Sequence, residues 1–210
     1  MIQSHTTTDI ALAEAERSVT APFTRLLAAN RPVVVPVAVL VFAALTAVGG
    51  QVAVPLGFTP VPMTLQTLFV LLAGVLLGPV AGAASQLLYL GLGLAGVPVF
   101  AMGGAGLPWL LSPTGGYLLA FPAAAALAGW IAGRERHRVR TAVALVVATA
   151  LIFASGAGWL SVVTGLGGRE VFASGVQPFL PGAVIKAAIV YVVARWAFSR
   201  RVPQNGDPRT

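Results

Sequence analysis

TPVPMTLQTLFVLLAGVLLGPVAGAASQLLYLGLGLAGVPVFAMGGAGLPWLLSPTGGYLLAF, residues Thr59 to Phe121, contains no Asp, Glu, Lys, Arg or His. Its few polar side chains recur at set places: Thr64, Gln66, Ser85, Gln86, Tyr89, Ser112, Thr114 and Tyr117. Glycine and proline mark the gaps between its apolar runs. Polar groups kept among apolar ones, with no charge near them, point to a cavity inside a bilayer.

The composition agrees. Hydrophobic residues make up 57% of the chain and charged residues 9%, against about 25% charged in an ordinary soluble domain. So few charges cannot cover a water-facing surface, and an integral membrane protein follows. A chain of 210 residues holds about six spans of roughly 20 residues in one compact bundle. There is no cysteine, which excludes disulfides, thiolate metal ligands and a Cys nucleophile. The two histidines, His5 and His137, fall in a polar tail and a basic loop, so neither a metal site nor any other cofactor is expected. The net charge of +7 is not read as a nucleic-acid footprint, because most of the basic residues flank apolar segments as topology signals do.

In chain order, residues 1–31 read as a polar cytoplasmic tail. They lack a basic region followed by an apolar one, so no cleavable signal peptide is expected. The first span is Pro32–Val48, with Pro36 in its opening turns, where a missing donor costs least. Ala43 and Ala47 are four apart on one helix face, a spacing that lets another helix approach closely. Gly50–Pro62 reads as a non-helical connection. Spans at about Met63–Leu77 and Val80–Ala95 are separated by Gly78-Pro79, and Gly96–Leu111 is too rich in glycine and proline for regular helix. The fourth span is about Ser112–Ile131, the fifth Thr141–Thr164 and the sixth Phe179–Phe198. GLGGREVFASGVQP joins the last two, and residues 200–210 form a basic, polar tail. The expected organisation is an all-α, six-helix membrane domain over residues 32–199 between two cytoplasmic tails.

Six crossings put Arg25, Arg31, Arg134, Arg136, Arg138, Arg140, Arg195, Arg200 and Arg201 on one side and Arg169 alone on the other. The positive-inside bias makes both termini cytoplasmic.

Lys186 is the charged residue placed well inside a span. A cation in lipid is expensive and usually turns to the bundle interior to meet a partner; the alternative is snorkelling of its long stem to the interface. Gln66 and Gln86 both donate and accept, and singly each is readily explained by an interhelical hydrogen bond. Tyr89 and Tyr117 offer an apolar face with a hydroxyl, or an interfacial anchor. Together with Thr64 and the glycine loops, these residues describe a pocket for a small, flat ligand with an amide-like head. Enzyme signatures are lacking. No Asp, Glu or His lies inside a span to serve as acid, base or metal ligand, and the glycine-rich PTGGY and GLGLAG are followed by no phosphate-binding lysine.

PVPMTLQTLFVLLAGVLLGP, then YLGLGLAGVPVFAMGG, then SPTGGYLLAF, supported by PFLPGAVIK, resemble the BioY family over roughly Phe42 to Ala194. These are biotin-specific S components of energy-coupling factor (ECF) transporters. The resemblance implies the six-helix S-component fold, with the vitamin held near the outer face under the loops between helices one and two and between three and four. It implies pocket roles for Gln66, Tyr89, Gly103, Gly104, Tyr117 and Lys186, beside the Thr64 and Gln86 read from the residues. It also implies contact of the Ala43–Ala47 stripe with a transmembrane T subunit, which couples to two cytosolic ATPase subunits. The family's last motif usually reads PGDxIK, and here Ala183 stands at the acid's position, one turn from Lys186. That acid would pair with the lysine and accept the ureido N–H groups.

The leading expectation is therefore a biotin-capturing, non-enzymatic subunit. The alternatives are a stand-alone biotin carrier or facilitator, a related transporter for another small vitamin-like ligand, and an intramembrane enzyme or assembly factor. The enzyme lacks catalytic residues, and the long outer loops speak against a purely structural role.

Overall fold

The computed structural model describes residues 31–133 and 137–199. His5, Arg25, Arg134, Arg136, Arg200, Arg201 and the two expected tails, apart from the backbone of Arg31, lie outside the described residues. The chain divides into two units, Met1–Val37, of which residues 31–37 begin the first helix, and Ala38–Thr210, which holds all the packing described below.

The helices are α1 (Arg31–Gln51), α2 (Gln66–Leu77), α3 (Pro79–Leu94), α4 (Leu107–Leu110), α5 (Gly115–Ala132), α6 (Arg138–Thr164), α7 (Gly168–Gly175) and α8 (Leu180–Ser199). Pro32–Gln51, Gly115–Ala132, Arg138–Thr164 and the run Gly168–Phe198 are long and apolar enough to cross a membrane, and α2 and α3 are shorter apolar helices. The fold is a six-helix membrane bundle of α1, α2, α3, α5, α6 and α8. Large apolar side chains face outward as freely as inward. Val80 is 82% exposed, Val162 77% and Trp130 71%, which suits a surface solvated by lipid tails.

Hydrophobicity does not drive helices together in lipid, so close packing of small residues must. The most extensive pair is α5 with α6, and small residues are buried on both helices: Ala124, Ala125, Ala128 and Ala132 on one and Ala144 and Ala148 on the other. Where α2, α3 and α5 cross, glycines bring backbones together. A Cβ on Gly74 would stand 2.3 Å from the Ala125 carbonyl oxygen, and one on Gly129 2.6 Å from the Gly74 oxygen. Gly78, at φ 87°, is the single residue between α2 and α3. Pro79 then opens α3, where its missing N–H is no loss.

Four connections differ from the sequence expectation, and in one of them, Gly96–Leu111, expected to hold no regular helix, Leu107–Leu110 form the single turn α4. The first span does not stop at Val48, since α1 continues through Gly49 and Gly50 to Gln51. Tertiary contact overrides the glycines' poor helix propensity there: a Cβ on Gly49 would meet the Phe69 ring at 2.8 Å. The chain then forms a two-stranded antiparallel hairpin, β1 (Ala53–Val54) with β2 (Met63–Thr64), in the register Ala53↔Thr64. Between α6 and α8 the glycine-rich linker folds into α7, opened by Glu170, whose carboxylate accepts the Gly167 N–H at 3.2 Å. Val171 is buried on α7 and Phe172 is exposed.

Candidate functional site

A cavity lies among α2, α5, α6 and α8. It is open at one end, and the empty space in it and in its mouth together is about 750 Å³. Cross-bundle contacts set its levels. Trp159 Nε1 donates to the Ser112 carbonyl at 2.9 Å, and Ser155 Oγ to the Gly116 carbonyl at 2.8 Å, so α5 descends from the mouth as α6 rises to it. Val61, Pro62, Ala101, Trp109, Thr114 and Phe179 form the rim. Leu71, Phe121, Thr149 and Ile152, also among the lining residues, are deepest, just short of the glycine crossing at Gly74. The rim lies at the end of the bundle away from Arg138 and Arg140.

Lys186 is on the wall. Its Nζ donates to the Thr64 carbonyl at 2.5 Å and to Thr67 Oγ1 at 3.2 Å, and among the lining residues it alone carries a charge. Glu170, the sole acidic residue among the described residues, is occupied at the start of α7. Lys186 thus has dipoles for company but no counter-charge, and Ala183, one turn earlier, also lines the cavity without supplying one.

Gln66, at the start of α2, has a defined amide. Thr64 Oγ1 donates to its Oε1 at 3.0 Å, and its Nε2 donates to Tyr89 Oη. Tyr89 is wholly buried, its ring edge-on to Phe100 and stacked with Phe121. Tyr117 lines the cavity with its ring laid against Gly156, while its Oη donates to the Gly175 carbonyl at 2.6 Å and so ties α5 to the end of α7.

Of the expected pocket residues, Thr64, Gln66, Tyr117 and Lys186 come together around the cavity and Tyr89, Gln86, Gly103 and Gly104 do not line it. Tyr89 stands behind Gln66. Gln86 is fully buried between α1 and α3, where its Nε2 donates to Thr46 Oγ1 at 3.3 Å and to Ser85 Oγ at 3.0 Å. Gly103, at φ 76°, and Gly104 shape the rim connection. Gly104 lies flat under Trp109, whose ring would meet a Cβ at 2.4 Å. Ala43 is 2% exposed and packs in the chain's own core, while Ala47 is partly buried against it. Thr67, Trp109, Thr149, Phe153 and Phe179 were not singled out in the sequence. For α6 a signal existed: Thr149, Ile152 and Phe153 are spaced i, i+3, i+4 on one helix face. Trp109 Nε1 and Thr149 Oγ1 are buried without a hydrogen-bond partner, and both residues line the cavity.

An apolar well with one uncompensated cation, a few fixed amides and hydroxyls and an aromatic rim can hold a small, largely apolar anion. The chain is similar to several known proteins. Over 156 residues the chain is 42% identical to a probable biotin transporter BioY of Pyrococcus horikoshii, covering 74% of this chain and 91% of that one. A biotin transporter BioY of Rhizobium etli is 36% identical over 162 residues, covering 73% and 86%. Among solved structures, the 2.1 Å crystal structure of the S-component for biotin from an ECF-type ABC transporter superposes with a TM-score of 0.75 at 28% identity. That match covers 81% of this chain and 94% of the other, and it extends the six-helix architecture to an S-component fold. The BioY family model matches residues 21–204, a range that takes in every helix described above, and the chain belongs to the BioY family.

Proposed function

We propose that the chain is the substrate-binding membrane subunit of a biotin uptake system, capturing biotin at the outer face and passing it on with an ECF T subunit and two cytosolic ATPase subunits. The observation that carries this reading is Lys186, a cation on the wall of an apolar well with no carboxylate beside it. Biotin is a compact, mostly apolar body that brings one carboxylate and one neutral urea. A charge-assisted hydrogen bond from the ammonium to such an acceptor is among the stronger single contacts available. Gln66, Thr64 and Tyr117 add neutral polar groups around it, with Tyr89 supporting Gln66 and Gly103 and Gly104 seating the rim.

The topology fits capture from outside. The positive-inside bias puts the α5–α6 turn, with Arg138 and Arg140, in the cytoplasm together with both termini, and therefore opens the rim outward. The outward face of α1 carries Val41, Ala44 and Val48, all exposed, with Ala47 at its margin. This is the face offered to the T subunit, and Ala43 supports it from within. A stand-alone carrier uses the same pocket, and uptake in cells lacking ECF ATPases separates the two readings.

Equilibrium binding of labelled biotin to the purified full chain is the direct test, with saturable one-to-one binding expected. No binding at millimolar biotin refutes the substrate. Orientation is checked by placing cysteines at Gly57 and Gly106, which should react with an impermeant reagent in intact cells, and at His137, which should not. Labelling at position 137 reverses the topology.

A further inference from the structure

We infer that Gln51 is a positioning residue for ligand entry: its amide latches the rim connection to the end of α1, and the turn 101–104 beyond this latch sets how wide the mouth stands. This rests on the function proposed above and adds to it a residue that does not line the well. Gln51 ends α1. Its Nε2 donates to the Phe100 carbonyl at 3.1 Å and stands 3.4 Å from the carbonyl oxygens of Pro98 and Ala47. All three neighbours are acceptors, so the amide nitrogen and not its oxygen must face them. Among the described residues, no other side chain hydrogen-bonds the connection between α3 and α4. Gly50 lets α1 come this close, since a Cβ there would stand 3.1 Å from the Val99 carbonyl oxygen. The same turn of α1 holds the other side of the mouth, where the Leu65 N–H donates to the Gly49 carbonyl at 3.0 Å. The end of α1 is thus a post to which both rim segments are tied, one by main chain and one by a single side chain.

What the side chain holds is a strained turn on a fixed pivot. The Phe100 ring is fully buried, edge-on to Tyr89 and seated where a Cβ on Gly93 would meet it at 2.1 Å. The ring is pinned, but the peptide unit after it can rotate about the Phe100 ψ, and that unit carries the carbonyl that Gln51 grips. Beyond it, Ala101 stands on the rim, Met102 lies in the left-handed region at φ 55° and ψ 31°, and Gly103 follows at φ 76°. Met102 is the one non-glycine residue with positive φ among the described residues. Its side chain is 61% exposed, so burial does not offset the strain. Such a conformation persists only where its surroundings enforce it. The enforcing bonds are Phe100 N–H to the Gly104 carbonyl at 2.9 Å, Gly104 N–H to the Ala101 carbonyl at 3.0 Å, and the Gln51 amide. Only the last comes from outside the turn. Without it the turn relaxes away from α1, carrying Ala101 and the Trp109 ring that lies over Gly104, and the mouth widens. A neutral, solvent-facing hydrogen bond contributes little net stability, as suits a latch that opens and recloses.

The chain has no cysteine, so Ala183→Cys, on the cavity wall, reports the mouth directly. The rate at which a water-soluble methanethiosulfonate modifies it in the purified full chain follows how often the mouth admits the reagent. Adding Gln51→Glu, of the same shape but with no donor, is expected to speed modification roughly three- to tenfold. Adding Gln51→Lys, which keeps N–H donors, should leave it within about twofold of Ala183→Cys alone. Adding Met102→Asn, a residue more at ease in the left-handed region, should slow it. In stopped-flow mixing with biotin, on the chain with its native Ala183, Gln51→Glu should raise the association and dissociation rates by the same factor. Kd should stay within about twofold, because Gln51 touches no ligand. Unchanged modification in Gln51→Glu overturns the inference. An equal gain in Gln51→Lys does so too, since the donor is then not what matters. A changed Kd at an unchanged association rate also overturns it, making Gln51 a ligand contact, and unchanged or faster modification in Met102→Asn removes the strained turn from the device. If the parent chain binds no biotin, it is the proposed function that fails, and the modification rates still decide the latch.

Discussion

Gln66 and Gln86 are alike in sequence, each an amide in an apolar run, and the bundle uses them differently. Gln66 begins α2 beside the cavity, with its oxygen held by Thr64 and its nitrogen by Tyr89. Gln86 is in the body of α3, fastened to Thr46 on α1 and to its own neighbour Ser85, and no part of it lines the cavity. One amide orients a wall and the other joins two helices. A polar residue in a membrane span therefore does not mark a binding site by its type. What separates the two is whether the residue itself borders empty space.

The strongest perturbation of the cavity side is Lys186→Ala. It removes the one charged lining residue and should weaken biotin binding roughly ten- to a hundredfold, the weight of a charge-assisted hydrogen bond. Parent-like affinity in a titration would mean that the ammonium serves Thr64 and Thr67 alone. Next comes Gln66→Leu, expected to weaken binding roughly tenfold and to lower the melting temperature in detergent, because Tyr89 Oη loses the amide that meets it. The smallest effect belongs to Gln86→Leu. Thr46 keeps its bond to the Phe42 carbonyl and Ser85 its bond to the Gly82 carbonyl, so the substitution strands no partner. Biotin affinity should stay within about twofold and stability nearly unchanged, in line with the roughly 0.6 kcal/mol typical of hydrogen bonds between membrane helices. A Gln86→Leu chain that loses biotin as Gln66→Leu does would erase the distinction.

The spans were readable because apolar runs broken by glycine and proline leave little choice in a bilayer, and the second and third fall within three residues of α2 and α3. The ends were less readable. Gly49 and Gly50 resemble a helix stop until Phe69 and Gln66 are found packed against them. GREVFASG looked like linker because its helix depends on one buried valine and one carboxylate contact. Lys186 stood out as a charge among apolar residues. Thr149 did not, since a threonine in a membrane helix usually satisfies itself, and only the structure shows that this one does not. Tyr89 was legible as a polar aromatic, but its place behind Gln66 depends on the register of α2 against α3.

Below the cavity, the crossing of α2, α3 and α5 leaves no room for so much as a methyl group on Gly74 or Gly129. Backbones in van der Waals contact leave no gap there between α2, α3 and α5, so a solute that has reached Leu71 has no way on between these three helices unless they part.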